Sequence, residues 1–508
     1  MTTLQTERLD VLSPVDGRLV AAVLVDGRSR VDEAARELRQ AQSAWAEAGP
    51  RPRAAWLRRW RDWILQHTDE LTDLLQAETG KVRPDALVET TASCEFISFY
   101  ADHAEEFLAV EKVRSPGLLS LSKSLFKTYH PYPLVGLITP WNFPITLFLM
   151  DAAPALAAGC AVLVKSSEET PLTCARVIEG WNEIGAPPVL AHVTGSAETG
   201  AAVVDAVDFV QFTGSTATGR SVAMRCAELL KPVSLELGGK DPAIVLEDAD
   251  LARAVEGIAW GGLFNAGQVC ISVERVYVVA EVYDAFLARL TDRVRSLTQG
   301  AGTTDDVGAM VTARQVDIAE RHVSQAVAAG AKVLTGGTRG AEGNFFAPTI
   351  LVDVDHSMAC MTEETFGPTI PVMRVADEEE AIRLANDSPY GLSATVWTRS
   401  NARGQRIARR LDAGAVNIND VFSNLFATTL PHNGWKASGI GARLGGAHGL
   451  RKYCRVQAVT QPRIPVLTRE VTWYPYSAGR AAIAGKVLRA AAGRGLRQRL
   501  GINKENNK

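Results

Sequence analysis

The sequence predicts an α/β protein whose sheets are mostly parallel and covered by helices on both faces. Four short apolar segments lack the alternation of a half-exposed strand: 134–138, 161–165, 208–212 and 243–246. Such segments are typical of strands that are buried on both faces. Helix-like stretches lie between them, for example at 146–158 and 218–230. Strand, helix and strand at this spacing form the βαβ unit of a doubly wound parallel sheet.

Helices precede this sheet, and a second α/β series follows it. From 29 to 110 the apolar residues recur at helical spacing, so that Trp60 and Trp63, for example, share one face. Strand-like and helix-like segments alternate again from about Gly239 to Asp420, which indicates a second α/β domain. Two further segments, 120–129 and 454–460, alternate polar and apolar residues as hairpin strands do, and strands so placed often serve assembly.

The composition is that of an ordinary globular protein with small partners. The chain has 508 residues, of which 46% are hydrophobic, and a net charge of -3. The length predicts two or three domains, and the charge balance argues against a nucleic-acid-coating protein. Seven scattered cysteines without a Cys-x-x-Cys pair, together with eight dispersed histidines, argue against disulfides and a metal site.

The amino terminus has no basic segment that leads into an apolar one, so no signal peptide is predicted. No apolar stretch is long enough to span a bilayer. We therefore expect a cytoplasmic protein that binds no metal and no nucleic acid.

Three residues can carry chemistry, although each also has a purely structural interpretation. Cys270 follows a small polar turn in NAGQVCIS, where it is either a nucleophile or a small buried hydrophobe. Glu236 ends an apolar strand in LELGGK and is either a general base or a surface ion-pair partner. Asn142 lies in the rigid turn PWNFP and either donates to an oxyanion or only satisfies that turn.

One strand-to-helix turn is suited to a pyrophosphate. In FTGSTATG an apolar strand is followed by Gly214, Ser215 and Gly219 and then by a helix. Backbone N–H groups and a hydroxyl at a helix amino terminus can hold a phosphate, although such a turn can also be only a helix cap. The other glycine-rich stretch, at 438–446, follows no strand and is rejected as a nucleotide fingerprint.

Five motifs together resemble those of the aldehyde dehydrogenase superfamily: PWNFP, FTGST, LELGGK, GQVC and EETFGP. They occur in that family's order and near its spacing, over residues 12–460. The resemblance implies an aldehyde dehydrogenase-like fold, with a Rossmann-type NAD-binding domain, an α/β catalytic domain and a small β oligomerisation element. It also implies a homodimer or a homotetramer.

The domain boundaries implied by the resemblance follow the positions of these motifs. The NAD-binding domain comprises 1–118 and 134–238, and 437–450 is expected to pack back on it. The catalytic domain comprises 239–436. The oligomerisation strands are 119–133 and 451–463, and 464–508 form a basic carboxy-terminal extension.

The same resemblance implies a hydrolytic mechanism that does not acylate coenzyme A. Cys270 matches the nucleophile that attacks the aldehyde carbon. The side-chain amide of Asn142 and the backbone N–H of Cys270 match the donors to the oxyanion. Glu236 matches the base that activates water for thioester hydrolysis, which releases a carboxylic acid.

The cofactor implied by the resemblance is NAD, with NADP possible. Lys165 and Glu168 match ligands of the adenosine ribose, and a carboxylate there repels a 2′-phosphate. Glu364 matches the ligand of the nicotinamide ribose, and Phe366 matches the aromatic residue that packs beside it. The pyrophosphate is expected to be lined by Trp141, Gly214, Ser215 and Gly219.

The substrate tunnel implied by the resemblance is apolar. Its expected lining residues are Phe143, Leu147, Met150, Ile271 and Phe422. No Arg or Lys lies in 141–150 or 421–431, so an aliphatic or aromatic aldehyde is favoured over a carboxylate-bearing one. Succinate-semialdehyde dehydrogenase is the alternative, and a catalytically silent NAD-binding protein of the same fold is a further one. His432 stands where the family often has an aromatic residue, and Asp241 where it usually has Asn.

The carboxy-terminal residues form a basic, loosely amphipathic extension. From 480 to 508 there are eight basic residues and one acid, with apolar residues such as Ile483 and Val487 at helical spacing. Peripheral contact with an anionic membrane through 479–508 is one interpretation. A solvated helix, or one packed against a partner subunit, is the other.

Overall fold

The structure is a computed structural model that describes residues 7–117, 120–463 and 473–493. The chain divides into two compact units. The first comprises Met1–Phe107 and Pro131–Tyr453, and the second comprises Leu108–His130 and Cys454–Lys508.

The described residues up to 131 form strands and helices in the following order: β1 (Arg8–Leu12), β2 (Leu19–Leu24), α1 (Arg28–Glu47), α2 (Pro50–Gln66), α3 (Thr68–Thr79), α4 (Arg83–Ala92), α5 (Cys94–Leu108), β3 (Glu111–Val113) and β4 (Lys123–Pro131). The predicted apolar face of α2 is buried at Trp60, Trp63 and Ile64. The ring of Trp60 packs edge-on against Trp181, with ring centroids 5.3 Å apart. This contact fixes the amino-terminal helices against the sheet that follows.

The next segment alternates strands and helices: β5 (Leu134–Ile138), α6 (Thr146–Ala158), β6 (Ala161–Lys165), α7 (Leu172–Glu183), β7 (Leu190–Val193), α8 (Ala197–Ala206), β8 (Phe209–Thr213), α9 (Thr216–Glu228) and β9 (Val233–Glu236). The predicted strands 134–138 and 161–165 coincide with β5 and β6. Every residue of these two strands is buried, as a strand covered on both faces requires.

A second alternating series runs from 241 to 418: β10 (Asp241–Val245), α10 (Leu251–Leu263), β11 (Val273–Val279), α11 (Tyr283–Arg295), α12 (Ala313–Ala328), β12 (Lys332–Thr335), β13 (Thr349–Val352), α13 (Ala359–Thr362), β14 (Thr369–Val375), α14 (Glu378–Asn386), β15 (Tyr390–Gly391), β16 (Ser393–Trp397), α15 (Asn401–Ala408) and β17 (Ala415–Ile418). A turn of 3₁₀ helix, Phe264–Gly267, separates α10 from β11.

The remaining elements are short apart from the last two: α16 (Ser423–Phe426), β18 (Pro431–His432), β19 (Trp435–Lys436), β20 (Gly439–Ile440), β21 (Arg443–Leu444), α17 (Ala447–Arg451), β22 (Cys454–Pro462) and α18 (Ala478–Ala492).

Six of these strands form a sheet in the order β20-β9-β8-β5-β6-β7. All neighbours are parallel except β20 and β9, which pair antiparallel. The chain runs outward from β5 to β7 on one side and from β8 to β9 on the other, so the strand order reverses between β5 and β8. A reversal of this kind opens a crevice at the carboxyl ends of the strands, where α/β proteins bind ligands.

Seven strands form the second sheet, in the order β12-β13-β14-β11-β10-β16-β17. Its central strand β11 is buried at all of its residues. The strands are parallel except for the edge strand β12, which is antiparallel to β13. Both sheets therefore have the parallel, helix-covered architecture that the sequence predicts.

Residues 437–450 return to the first sheet. Gly439 of β20 is the register partner of Glu236 at the end of β9. The division into an NAD-binding and a catalytic domain stays a prediction, because both sheets belong to the same compact unit.

The second compact unit contains a three-stranded sheet in the order β22-β4-β3. Strand β22 lies at an edge of this sheet and is exposed at every residue after Cys454. Helix α18 has no buried residue. Among the described residues, no helix is long and apolar enough to cross a membrane.

Candidate active site

Cys270 is carried by a turn with an unusual backbone. Three consecutive residues, Asn265, Ala266 and Gly267, have positive φ angles of 53°, 54° and 73°. A Cβ atom on Gly267 would lie 2.2 Å from the carbonyl oxygen of Gly367, so only glycine fits there. The turn brings Cys270 to a partly buried position, whereas the other six cysteines, all in the described residues, are buried.

Buried side chains hold this turn in place. The Asp85 carboxylate accepts a hydrogen bond from the backbone N–H of Asn265 at 3.0 Å. The side chain of Gln268 donates to the Asn265 carbonyl at 3.0 Å and accepts from the Val311 N–H at 2.9 Å. The left-handed backbone is thus stabilised from both sides rather than left to a flexible loop.

The same network positions Asn142. Its side-chain amide donates to the Gln268 carbonyl at 2.9 Å, and Asn265 donates to the Asn142 carbonyl at 3.1 Å. One N–H of the Asn142 amide is used in this way, and the other is left for a further acceptor. The structure therefore brings Asn142 and Cys270 to the same cavity.

A buried ion pair fixes the turn that contains Asn142. Lys81 lies 2.6 Å from the Glu89 carboxylate and also donates to the Asn142 carbonyl at 2.6 Å. The other oxygen of Glu89 accepts from the backbone N–H of Ile145 at 2.9 Å. The Lys81 ammonium also lies 3.7 Å from the centroid of the Phe143 ring.

The cavity in front of Cys270 has a mainly apolar wall. Four of the five predicted tunnel residues line it: Phe143, Leu147, Ile271 and Phe422. Met150 does not line it and is completely buried. Helix α6 is buried almost all round, so its apolar pattern did not reveal which of its residues meets the cavity. The aromatic wall also includes Phe96, Trp260, Phe264 and Phe426.

Glu236 lies at the carboxyl end of β9, buried to 3% exposure, and is not among the residues that line the cavity. Neither of its carboxylate oxygens has a hydrogen-bond partner among the described residues. Burial raises its pKa to about 8, while Arg443 and Lys452 act in the opposite direction. The Glu236 carboxyl group is thus withheld from solvent.

Two polar residues of the cavity wall lie near Glu236. Nε2 of His432 is 4.0 Å from the Glu236 carboxylate. Arg443, which is 2% exposed, forms an ion pair with Asp151 at 2.6 Å. The cavity therefore has an arginine in its wall. Arg443 lies outside 141–150 and 421–431, the two segments that contain no Arg or Lys.

Burial and carboxylates keep the Cys270 thiol protonated. Burial raises its pKa to about 12, and Asp241 and Glu236 add to this effect. Within the described residues, the backbone N–H of Cys270 donates to no protein acceptor. That N–H and the spare N–H of Asn142 are the two donors that an oxyanion at this position would use.

The predicted ribose and pyrophosphate residues lie at the carboxyl ends of β6 and β8, the two parallel strands on either side of β5. Lys165 ends β6 and pairs with Glu168 at 2.9 Å. Gly214 and Ser215 follow β8, and Ser215 caps α9 by accepting from the Thr218 N–H at 3.2 Å. A Cβ atom on Gly219 would lie 2.4 Å from Leu237, so Gly219 serves the close packing of α9 on the strand end.

The predicted nicotinamide-side residues are held by a second buried ion pair. Glu274 of β11 lies 2.6 Å from the Lys240 ammonium and accepts from the backbone N–H groups of Thr365 and Phe366, each at 2.8 Å. The next carboxylate, Glu364, accepts from the Gly239 N–H at 3.0 Å. Burial raises the pKa of Glu364 to about 8, and Glu274 adds to this effect.

An aromatic pair completes this side. The rings of Trp141 and Phe366 meet edge-on, with centroids 5.4 Å apart. The first sheet thus has a crevice where the strand order reverses between β5 and β8. The amino terminus of α9, which is preceded by Gly214, and the Lys165–Glu168 pair at the end of β6 lie on either side of β5. These residues fit a nicotinamide dinucleotide.

Several residues of this site were missed by sequence reasoning, namely Lys81, Glu89, Asp151, Glu274 and Arg443. Each acts through a partner that is distant in the sequence, as Arg443 does with Asp151. From the sequence alone, a charged residue inside a helix or beside a glycine is expected to be exposed, because most charged residues are. The sequence shows that His432 departs from the family pattern, but it does not show that His432 lies near Glu236.

Comparison with known proteins identifies the family. The sequence model described as "Aldehyde dehydrogenase family" matches residues 1–459. A 4,4'-diapolycopene aldehyde oxidase of Methylomonas sp is 38% identical over 472 residues, which is 92% of this chain and 88% of the relative. The chain belongs to the aldehyde dehydrogenase family. It is an oxidoreductase that acts on aldehydes, and the family and fold class indicated by the five motifs are confirmed.

Two further relatives agree. A "Putative succinate-semialdehyde dehydrogenase (NADP(+))" of Mycolicibacterium smegmatis is 39% identical over 455 residues, covering 88% of this chain and 87% of the relative. The solved structure of a "Putative Aldehyde Dehydrogenase" from Anabaena variabilis has a TM-score of 0.88 and 37% identity, covering 92% of this chain and 100% of that one. The predicted oxidation of an aldehyde with a nicotinamide cofactor, NAD or NADP, agrees with these relatives.

The raised pKa of Cys270 predicts how the enzyme without ligands reacts with iodoacetamide. Only the thiolate alkylates, so the rate should still increase with pH above about 9, where a free cysteine has already levelled off. Mass spectrometry of the intact protein measures the rate at each pH. The Cys270→Ser variant is the control and should take up little label. A rate that levels off below about pH 8 would contradict the prediction.

Proposed function

We propose that this aldehyde dehydrogenase uses NAD to oxidise an apolar aldehyde to its carboxylic acid, through a thioester on Cys270. The observation that carries the proposal is that a partly buried thiol, a spare amide donor and an apolar wall meet in one cavity. The buried base Glu236 has His432, a residue of the cavity wall, as its neighbour.

The first step forms a covalent bond to the enzyme. The Cys270 thiol gives its proton to water, and Sγ bonds to the carbonyl carbon as the carbon–oxygen π bond opens. The carbonyl oxygen becomes an oxyanion that accepts hydrogen bonds from the Asn142 amide and the Cys270 backbone N–H. Both donors are fixed by the buried turn, so they need no rearrangement when the charge develops. Glu364 and Phe366 would hold the nicotinamide end of the cofactor, which when bound would accept the hydride of the substrate carbon.

The second step releases the acid. Glu236 takes a proton from a water molecule, and the water oxygen bonds to the thioester carbon. The carbon–sulfur bond breaks, the thiolate is reprotonated and the carboxylic acid leaves. A carboxylate whose pKa is raised to about 8 is a stronger base than an ordinary one, which suits it to this task.

The cofactor preference is proposed from Glu168. The distance from Lys165 to Glu168 is 2.9 Å, so the carboxylate is held beside the ammonium that the family uses for the adenosine ribose. A 2′-phosphate would be repelled by this carboxylate, although the paired ammonium weakens the repulsion. The name of the Mycolicibacterium relative includes NADP(+), so use of both cofactors is compatible with this family.

The apolar wall supports an aliphatic or aromatic substrate. The Methylomonas relative, named for a 4,4'-diapolycopene aldehyde, supports the same class. Succinate semialdehyde is the second candidate, because a putative succinate-semialdehyde dehydrogenase is 39% identical and because Arg443 lies in the cavity wall. The Arg443 guanidinium is already paired with Asp151, which argues against its use as a substrate counter-ion.

The two-step mechanism predicts different effects for two variants. Cys270→Ala should abolish NADH formation, because no covalent intermediate forms. Glu236→Gln should give one burst of NADH per active site and then a steady rate lower by about 100-fold or more, because hydrolysis loses its base. Stopped-flow absorbance of NADH measures both phases. Wild-type steady-state rates in Cys270→Ala would refute the mechanism.

The apolar cavity predicts the order of substrates. With the wild type and NAD, kcat/KM should rise along a series of straight-chain aldehydes, by about tenfold for each two methylene groups that the wall buries. Succinate semialdehyde should be poorer than the uncharged aldehyde of equal length. A higher kcat/KM for succinate semialdehyde than for every uncharged aldehyde would assign the second candidate function instead.

We also propose that the protein is a homodimer or homotetramer that assembles through the second compact unit. Within the described residues, β22 is the outer strand of its sheet, and Val456 and Val459 on it are 58% and 36% exposed. Exposed strand edges with apolar side chains pair with other chains unless they are covered. Light scattering combined with gel filtration distinguishes the two states. The cytoplasmic location likewise stays a prediction.

Helix α18 supports peripheral membrane contact. Ile483, Val487 and Leu488 are each about half exposed on it, and Trp473 and Tyr474 are exposed just before it. The described residues 473–493 carry three basic side chains and no acidic one. Such a segment can place its apolar face in a bilayer and its cations against anionic lipid.

Vesicle sedimentation tests this contact. The full chain should sediment with vesicles that contain phosphatidylglycerol, and less with vesicles of phosphatidylcholine alone. Ile483→Asp should reduce sedimentation, because it places a charge in the apolar face. Val327→Asp, at an exposed position of α12, is the matched control and should have no effect. Equal sedimentation of the full chain and of a chain lacking 479–508 would contradict the proposal.

A further inference from the structure

Glu236 adjoins a buried group of charged side chains that the proposed mechanism leaves unused. Asp151, on α6, is 1% exposed and contacts Arg443 at 2.6 Å and Lys452 at 3.1 Å. The Tyr453 hydroxyl donates to the same carboxylate at 2.6 Å. These residues come from three different parts of the sequence, so the fold brings them together.

Arg443 links this group to the cavity. It lies on β21, its side chain is buried, and it is one of the residues that line the cavity. Its guanidinium contacts Asp151 and donates to the Thr213 hydroxyl, at the end of the strand next to β9. Its Nε has no hydrogen-bond partner among the described residues.

The charges of this group balance only when Glu236 is ionised. Arg443 and Lys452 contribute two positive charges, and Asp151 contributes one negative charge. Buried charges without a counter-charge are costly, because water cannot solvate them. The ionised Glu236 carboxylate supplies the second negative charge. With no hydrogen-bond donor among the described residues, this carboxylate depends on nearby positive charge for its stabilisation.

No other described group that faces Glu236 supplies that positive charge. Nε2 of His432 is 4.0 Å away, but burial lowers the pKa of His432 to about 4 and Arg443 adds to this effect. The strand partners of Glu236 are Thr213 on β8 and Gly439 on β20, and both are uncharged. Cys270 is protonated.

We propose that Arg443 is a positioning residue for thioester hydrolysis, which favours the ionised form of Glu236 that accepts a proton from water. The proposal rests on the role of Glu236 in the proposed function and adds the residue on which that role depends. Arg443 forms no bond to the substrate in this role. It acts through the electrostatic potential at the carboxylate.

The electrostatics give the sign of the effect. Burial raises the pKa of Glu236, and Arg443 is the strongest of the groups that oppose this rise, ahead of Lys452. Removal of the Arg443 charge therefore raises the Glu236 pKa further above about 8. The fraction of ionised base at neutral pH falls, and it is recovered at higher pH.

The direct test compares Arg443→Gln and Arg443→Lys with an uncharged apolar aldehyde and saturating NAD. Arg443→Gln should keep its NADH burst, while its steady-state rate falls by about tenfold at neutral pH and its pH profile moves upward by about one unit. Arg443→Lys keeps the charge and should retain the wild-type profile. Circular dichroism and NAD binding check that each variant is folded.

A double variant tests whether charge balance determines the pH profile. It also leaves no uncompensated buried charge that could prevent folding. Asp151→Asn combined with Arg443→Gln removes one charge of each sign, so that Lys452 and Glu236 balance each other. Its pH profile should return toward that of the wild type, whereas a role of Arg443 through contact alone predicts no recovery. Lys452→Gln, which removes the other cation, should shift the profile in the same direction as Arg443→Gln.

Two results would overturn the proposal. One is an unchanged pH profile in folded Arg443→Gln and Lys452→Gln. The other is a loss in Arg443→Gln that is confined to the KM for carboxylate-bearing aldehydes, which would make Arg443 a substrate ligand. A wild type that forms no NADH from any aldehyde would contradict the proposed function instead, so the two failures are distinguishable.

Discussion

The left-handed turn before Cys270 is the constraint on which the rest of the site depends. Asn265 and Ala266 are non-glycine residues at positive φ, and each costs about 1–2 kcal/mol relative to an ordinary helical conformation. The turn persists because the hydrogen bond that Asp85 accepts and the one that Gln268 donates offset this cost. A further hydrogen bond, from the Asn142 amide to the Gln268 carbonyl, connects the turn to Asn142. Thiol and oxyanion donor are therefore parts of one rigid assembly, and a change in either moves both.

Three buried ion pairs extend this assembly, and each one braces a different motif. Lys81–Glu89 holds the turn of Asn142, Lys240–Glu274 holds the segment of Glu364, and Arg443–Asp151 lies beside Glu236. A buried pair contributes little net stability, but removal of one partner leaves an uncompensated charge and costs about 3–5 kcal/mol. The contribution of these pairs is therefore to hold the geometry of the site. Each pair requires the native arrangement of its strands and turns, so folding of the chain also assembles the site.

The sequence predicted the parts of the site that are local and missed those that are not. Strands such as β5 and β6 were found because burial on both faces gives an apolar segment that can be recognised without a partner. Cys270, Glu236 and Asn142 can be proposed from the sequence because each lies in a motif at a strand end or turn, and their catalytic roles stay predictions. Arg443 and Asp151 are 292 positions apart, and only the fold makes them neighbours. Met150 was included in the tunnel because α6 is apolar on every side, which removes the periodicity that would show its inner face.

An apolar substrate cavity and an ionised base are difficult to combine in one site. The position of Glu236 outside the cavity wall separates them. An ionised carboxylate in the wall would repel an apolar substrate from the cavity and raise the pKa of the neighbouring thiol further. A base buried behind the wall avoids the first effect, but it then loses the stabilisation that water gives to its charge. Arg443 and Lys452 return part of that stabilisation, while burial remains the larger effect on the Glu236 pKa. In the mechanism proposed above, apolar residues such as Phe143 and Ile271 set substrate choice, and the charges around Glu236 set the pH dependence of hydrolysis. Arg443 takes part in both properties, because it lines the cavity and also acts on the Glu236 carboxyl group.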